Sequence, residues 1–307
     1  MMIPETYDIY SPGSRASQPG DIVDTLIPIS VKPDLIVGAV EQGNHPIADN
    51  LATVLNSIGI NPFRANCDWP RNEWHLFENG TYIQRVNVNS KDLGSIELGN
   101  GGMIISGKEF VVVSGAAIMP KMGIAEESYH ELKNQLIGHT QAASGVERVY
   151  VLPQALWLGM DRQSAATYRD IDLTVGYISF AHLFVVDLDH YERQQELFDQ
   201  IIEEQRADLV LIEEPLAPNL LPINDPKDPK VITYQSPDLN KILRDKGIHV
   251  VDATHKESWS EEFEELGGSV RCSSNYCHSQ LFDSLAPGKH LIKTELERIC
   301  YNIGERK

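Results

Sequence analysis

From about residue 34 onward, short β-type runs alternate with helical segments in a recurring order, which restricts the chain to folds assembled from strand, strand, helix, strand units. Leu35-Ile36-Val37-Gly38-Ala39-Val40 is a strand by its β-branched content. Pro46 to Ile58 carries Ile47, Leu51, Val54 and Leu55 at helical spacing, tolerates Pro46 in its first turn and stops at Gly59. Met103-Ile104-Ile105 and Phe110-Val111-Val112-Val113 flank Ser106-Gly107-Lys108, a hairpin signal, after which Glu126 to Ile137 predicts a helix and Val149 to Leu152 a strand. The order returns in Asp172 to Ile178, Leu183 to Val186, Arg193 to Gln205 and Leu209 to Ile212. It returns again in Val231 to Tyr234, Leu239 to Lys246 and His249 to Val251. Identity between these units is negligible, so the repeat is one of topology. Pro215 to Pro229 holds five prolines and is read as a surface loop, because the pattern resumes behind it. The division that follows is an N-terminal arm over residues 1–33 and a single α/β domain over 34–307.

With 307 residues the chain can bury a sizeable core, and its 42% hydrophobic and 23% charged content are ordinary for a globular protein. The formal net charge of −18 disfavours nucleic acid and anionic lipid as partners and leaves small cationic ligands as the favoured class. Cys67, Cys272, Cys277 and Cys300 form no CxxC pair and match no zinc spacing, so no metal site and no cofactor is expected. Neither a leader pattern nor an apolar run of membrane-spanning length is visible, and a reduced, cytoplasmic protein is expected. A homo-oligomer remains open.

Four stretches carry candidate chemistry. Gly267-Gly268-Ser269-Val270-Arg271-Cys272 runs a small-residue turn into a thiol, a setting that suits a nucleophile, although free cysteine is more often a small buried hydrophobe. Cys67-Asp68-Trp69-Pro70-Arg71-Asn72-Glu73-Trp74 interleaves aromatics with charge, suiting either a pocket wall or a simply folded loop. Leu98-Gly99-Asn100-Gly101-Gly102-Met103 is a glycine-rich turn leading into the first hairpin, without the strand-to-helix context of a phosphate loop. In Tyr168-Arg169-Asp170-Ile171-Asp172-Leu173, an extended strand would place Asp170 and Asp172 on one face, where the two charges need a cation or a shared proton.

Taken in order, Pro70-Arg71-Asn72, the Gly101-Gly102 hairpin, Asp170-Ile171-Asp172-Leu173 and Gly267 to Cys272 resemble the guanidine-modifying, or pentein, superfamily of amidinotransferases, dimethylarginine hydrolases and arginine and agmatine deiminases. The likeness spans about residues 34–280 and rests on short motifs in a shared order. It implies a five-bladed α/β propeller of ββαβ units with pseudo-fivefold symmetry around a central channel. It further implies that Cys272 attacks a guanidinium carbon, that Asp172 is one of the carboxylates gripping the nitrogens, and that Trp69, Arg71, Asn72, Asn100 and Arg271 surround the substrate. A guanidinium is a resonance-stabilised cation and a poor electrophile, so a thiolate must be held against its carbon while acids fix its nitrogens.

Departures from the superfamily pattern are as informative. Asp170 stands where a proton-shuttling histidine is typical, Asn100 where an acid precedes the Gly-Gly turn, and Asn72 where an aspartate follows arginine. Asparagine offers donors as well as an acceptor, so these two are better grips for a carbonyl or ureido group than for a guanidinium. Asp170 could exchange protons near neutrality only with a raised pKa. His75, His182, His190 and His278 are candidate replacements for the missing imidazole. The leading expectation is a cysteine-dependent hydrolase or amidinotransferase acting on a guanidino or amidino compound, with hydrolysis favoured because water is always available. The second is a catalytically altered pentein that binds a small ligand without turnover, and the third an enzyme acting on arginine or glutamine side chains of proteins.

Overall fold

Strands that are apolar at every position, rather than at alternate ones, must be covered on both faces. The chain achieves this by stacking small sheets of two or three strands. The computed structural model describes residues 26–28, 36–38, 53–60, 62–64, 74–78, 82–90, 93–121, 126–153, 169–214, 216–253, 270–271 and 275–277. First come β1 (Leu26–Pro28), β2 (Ile36–Gly38) and β3 (Pro62–Arg64), with a helical turn over residues 53–57 between the last two. β4 (Trp74–Leu76), β5 (Tyr82–Gln84), β6 (Val86–Ser90) and β7 (Gly94–Leu98) follow. β1 pairs with β3, β4 with β5 and β6 with β7, all antiparallel.

The first complete unit contains β8 (Ile104–Ser106), β9 (Phe110–Ser114), α1 (Glu126–Ser144) and β11 (Arg148–Leu152); β10 (Ile118–Pro120) leaves it to pair with β7. The second contains β12 (Val175–Ile178), β13 (Leu183–Asp187), α2 (Leu188–Arg193), α3 (Gln195–Gln205) and β14 (Asp208–Ile212). The third contains β15 (Leu221–Ile223), β16 (Lys230–Thr233), α4 (Pro237–Asp245) and β17 (His249–Asp252). In all three the second strand is central, the first lies antiparallel to it, and the third returns parallel after a helical crossover. β18 (Asn275–Cys277) pairs antiparallel with β2, tying late residues to early ones.

Side-chain alternation shows how the units stack. Val111 and Val113 of β9 share a core with Ile96, Leu132 and Leu136, whereas Phe110 and Val112 share one with Tyr177, Phe184 and Val186 of the second unit. Leu183 and Val185 of β13 turn the other way, toward Leu220, Val231, Leu239 and Leu243 of the third unit. The second sheet is therefore packed between its neighbours, and each fully buried Val, Leu or Phe contributes roughly 1.5–3 kcal/mol by leaving water. Phe110, Tyr177 and Phe184 bridge the first two units with ring centroids 4.7–5.4 Å apart. Between the second and third, a Cβ at Gly176 would lie 2.4 Å from Pro218 O, so only glycine lets the 216–220 turn approach β12 so closely. Across this boundary Glu214 accepts hydrogen bonds from the Asp238 and Leu239 amides, satisfying free N–H groups at the start of α4.

Three expectations are corrected. Pro215 to Pro229 is not simply a surface loop: Ala217 to Ile223 is buried and β15 lies within it. Pro222 is compatible with that strand because β15 is the edge of its sheet. The helix expected from Arg193 to Gln205 breaks at Gln194, which is the cap between α2 and α3. Asp170 and Asp172 do not share a strand face, because Ile171–Leu173 is a 3-10 turn with Asp170 as its extended N-cap. Among the described residues no helix is long and apolar enough to cross a membrane.

Candidate functional site

Each unit is introduced by a tight turn just before its first strand. Ahead of β8, Asn100 accepts from the Gly102 amide at 3.1 Å and starts the 3-10 turn Gly101–Met103. Ahead of β12, the Leu173 amide donates to Asp170 O at 3.0 Å to close the Ile171–Leu173 turn. Ahead of β15, Leu216 adopts φ of 58° and accepts from the Asn219 amide at 2.9 Å. Val270 and Arg271 form a turn ahead of β18 in the chain.

Asn219 ties three of these turns together. Its Nδ2 donates to the Asp172 carbonyl at 2.9 Å, and its Oδ1 accepts from the Arg271 amide at 3.0 Å. Arg271 Nε lies 3.6 Å from Asp172 Oδ2, and the two side chains are 7% and 0% exposed. Burying two opposite charges is tolerable only as a pair, so the pairing fixes the Arg271 side chain relative to the Asp172 turn. A second polar group adjoins the first through contact between the 101–103 and 171–173 turns. Glu97, whose side chain is 2% exposed, pairs with Arg85 Nε at 2.8 Å and Arg169 Nη2 at 3.5 Å, and accepts from Asn100 Nδ2 at 2.9 Å.

Of the residues singled out from sequence, Asp172, Arg271 and Asn100 are buried in this polar centre, and Asp170 is half-buried at its edge. Cys272, Trp69, Arg71 and Asn72 lie outside the described residues, though Cys272 directly follows Arg271. Asn100 uses its carbonyl on Gly102 and one amide hydrogen on Glu97, leaving one hydrogen and one lone pair for a ligand. Asn219, Glu97, Arg85 and Arg169 were missed by sequence reasoning. A usable signal existed for Asn219: like Asn100 and Asp172, it is a polar residue placed two to four positions before an apolar strand.

Three of the candidate histidines, His75, His182 and His190, are engaged in hydrogen bonds. His182, at φ of 52°, meets the Gln205 carbonyl through Nε2 at 2.7 Å. A carbonyl only accepts, so Nε2 carries the hydrogen and Nδ1 accepts from the Tyr177 hydroxyl at 2.7 Å. Burial pushes the Tyr177 phenol far above its ordinary range, which keeps it protonated for that bond. His190 accepts from Gln194 at Nε2, 3.0 Å, and donates from Nδ1 to Thr174 Oγ1 at 2.8 Å; burial lowers its pKa to about 3. Thr174 Oγ1 in turn donates to Ile171 O, so neutral His190 braces the turn that carries Asp172. His75 meets Ser106 Oγ through Nε2 at 2.9 Å and presents its ring edge-on to Phe77. His278 lies outside the described residues.

No protein-family model matches this chain, and no curated protein matches it.

Proposed function

We propose that the chain is a pentein-type enzyme: a cytoplasmic, cysteine-dependent C–N hydrolase that acts on a small guanidino or amidino compound of arginine-like character. What carries this reading is that the residue directly before Cys272 is anchored, through Asn219 and Asp172, in the buried polar centre where the first strands of successive units begin. A channel lined by such turns is what a five-bladed ring of ββαβ units would possess. Three consecutive units of identical topology and the pairing of β18 with β2 support that ring.

In this mechanism the Cys272 thiolate forms a C–S bond to the guanidinium carbon. One C–N bond then breaks as the departing amine gains a proton, leaving a covalent amidino thioester analogue. Water adds to the same carbon, the C–S bond breaks, and a ureido product leaves with the thiolate restored. Asp170, half-buried beside the Asp172 turn, is the carboxyl that moves the proton in place of a histidine. Asp172 supplies negative charge at the centre and orders Arg271, while Arg271, Asn100, Arg71, Asn72 and Trp69 position the substrate. Because Arg271 offsets the Asp172 charge, the centre suits a substrate that carries a carboxylate as well as its guanidinium.

A binding protein without turnover is the second reading, favoured by the same Asp172–Arg271 pair, which gives the key carboxylate an internal guanidinium partner. Mass spectrometry of wild type and Cys272→Ala incubated with arginine, agmatine, methylated arginines, guanidinoacetate and citrulline separates the two. A product or adduct mass that vanishes in the variant supports the enzyme. A ligand that raises Tm equally in both proteins, with no product or adduct, overturns the enzyme in favour of the binder.

A further inference from the structure

A second cleft lies at the other end of the units from the polar centre and has a volume of about 630 Å³. It opens where the β8–β9 and β12–β13 hairpins turn, beside the end of α3. β12 separates it from the Asp172 turn by four residues, about 13 Å of strand rise, so the cleft and the centre stand at opposite ends of one strand. Its size falls within the range of pockets for small organic ligands.

The lining carries both signs of charge: Glu78, Glu109 and Glu204 against Lys108, Arg148 and Arg206. Part of this set is already engaged, since Glu204 accepts from Tyr150 and Gln200, and Arg148 donates to the Glu204 carbonyl. Lys108, Arg206 and Glu78 have no ion pair among the described residues. Glu78 is half-buried, feels the charges of Lys108 and His182 across the cleft, and shares it with the rings of Tyr177 and Phe180. A carboxyl beside aromatic faces recognises an ammonium group. Exposed Lys108 and Arg206 recognise a carboxylate. A pure anion would meet three carboxylates, and a pure cation would meet three cationic side chains.

We propose that this cleft binds a small zwitterion of the amino-acid class, its ammonium group held by Glu78 beside Tyr177 and Phe180 and its carboxylate by Lys108 and Arg206. The site is independent of any chemistry at Cys272. Asn224 adds directional donors: its Oδ1 accepts from Ser179 at 3.0 Å, and its amide hydrogens face no recorded acceptor among the described residues.

Calorimetry on the full chain tests the assignment with L-lysine and L-phenylalanine, their carboxylate-free counterparts cadaverine and phenethylamine, and the amine-free hydrocinnamate. At least one amino acid is expected to bind with one-to-one stoichiometry, and its counterpart lacking either charge at least about tenfold more weakly. Glu78→Gln, and separately Lys108→Ala with Arg206→Ala, are each expected to weaken binding about tenfold or more, with circular dichroism confirming the fold. Cys272→Ala is expected to bind as wild type does. Absence of binding by both amino acids, equal binding of the one-charge counterparts, or binding unaffected by the Glu78 and Lys108/Arg206 variants would overturn the proposal. Loss of binding in Cys272→Ala would overturn it as well, by moving the ligand to the polar centre.

Discussion

Replacing Asn219 with alanine tests whether one side chain holds the polar centre together. The substitution removes two buried hydrogen bonds at once, one to the Asp172 carbonyl at 2.9 Å and one from the Arg271 amide at 3.0 Å. No water reaches a side chain that is 1% exposed, so both backbone groups lose the Asn219 partner without gaining a solvent one. At about 1–2 kcal/mol for each bond, the expected destabilisation is about 2–4 kcal/mol, a fall of roughly 30- to 1,000-fold in the folded-to-unfolded ratio. Urea unfolding followed by circular dichroism reads this as a lowered midpoint at unchanged slope. Asn219→Asp keeps an acceptor for Arg271 N–H but loses the donor to Asp172 and brings a second negative charge near that carboxylate, so it is expected to recover little. A loss below about 0.5 kcal/mol in Asn219→Ala would refute the idea that this residue fastens the turns.

Three further outcomes are expected. Glu97→Gln strips the charge from a buried carboxylate that faces Arg85 and Arg169, and should cost about 3–5 kcal/mol in denaturant unfolding, against near-neutrality for the exposed pair removed by Asp208→Asn. Gly176→Ala drives a Cβ against Pro218 O and should destabilise by about 1–3 kcal/mol or more, read as a lowered Tm. His190 has a folded pKa near 3, below its unfolded value, so the unfolded chain binds the extra proton; its contribution is complete above about pH 6.5 and is lost as pH falls toward 3. Stability measured across that window should fall less steeply in His190→Gln than in wild type.

What the sequence made legible followed from burial. The runs at Val111 to Val113 and Leu183 to Val186 are apolar throughout because both of their faces enter a core, and a short uninterrupted apolar run between turn signals is readable without tertiary knowledge. β15 was illegible for the opposite reason: Pro222 tells against a strand in general and is silent about an edge position, which only the assembled sheet defines. The period-two placement of Asp170 and Asp172 failed because local backbone hydrogen bonds from Leu173 and Thr174 curl that segment into a 3-10 turn. At the candidate site Asp172, Arg271 and Asn100 were named in advance, whereas their partners Asn219 and Glu97 were not. The contacts that give Asn219 its role reach Asp172 and Arg271 some fifty residues away, and those that give Glu97 its role reach Arg85 and Arg169 outside its own strand, so only the position of Asn219 ahead of a strand was visible locally.

The pairing of β18 with β2 has a consequence for the order of events during synthesis. On the ribosome β2 emerges long before its partner, and the three central units, each closed by its own helical crossover, can assemble while β2 waits. Arg271 emerges just ahead of β18 and after its partners Asp172 and Asn219. Docking of that late segment therefore completes two things in one step, the β2–β18 pairing and the Asp172–Arg271 ion pair. A nascent chain halted before residue 271 would lack both the Arg271 partner of Asp172 and the strand that pairs with β2.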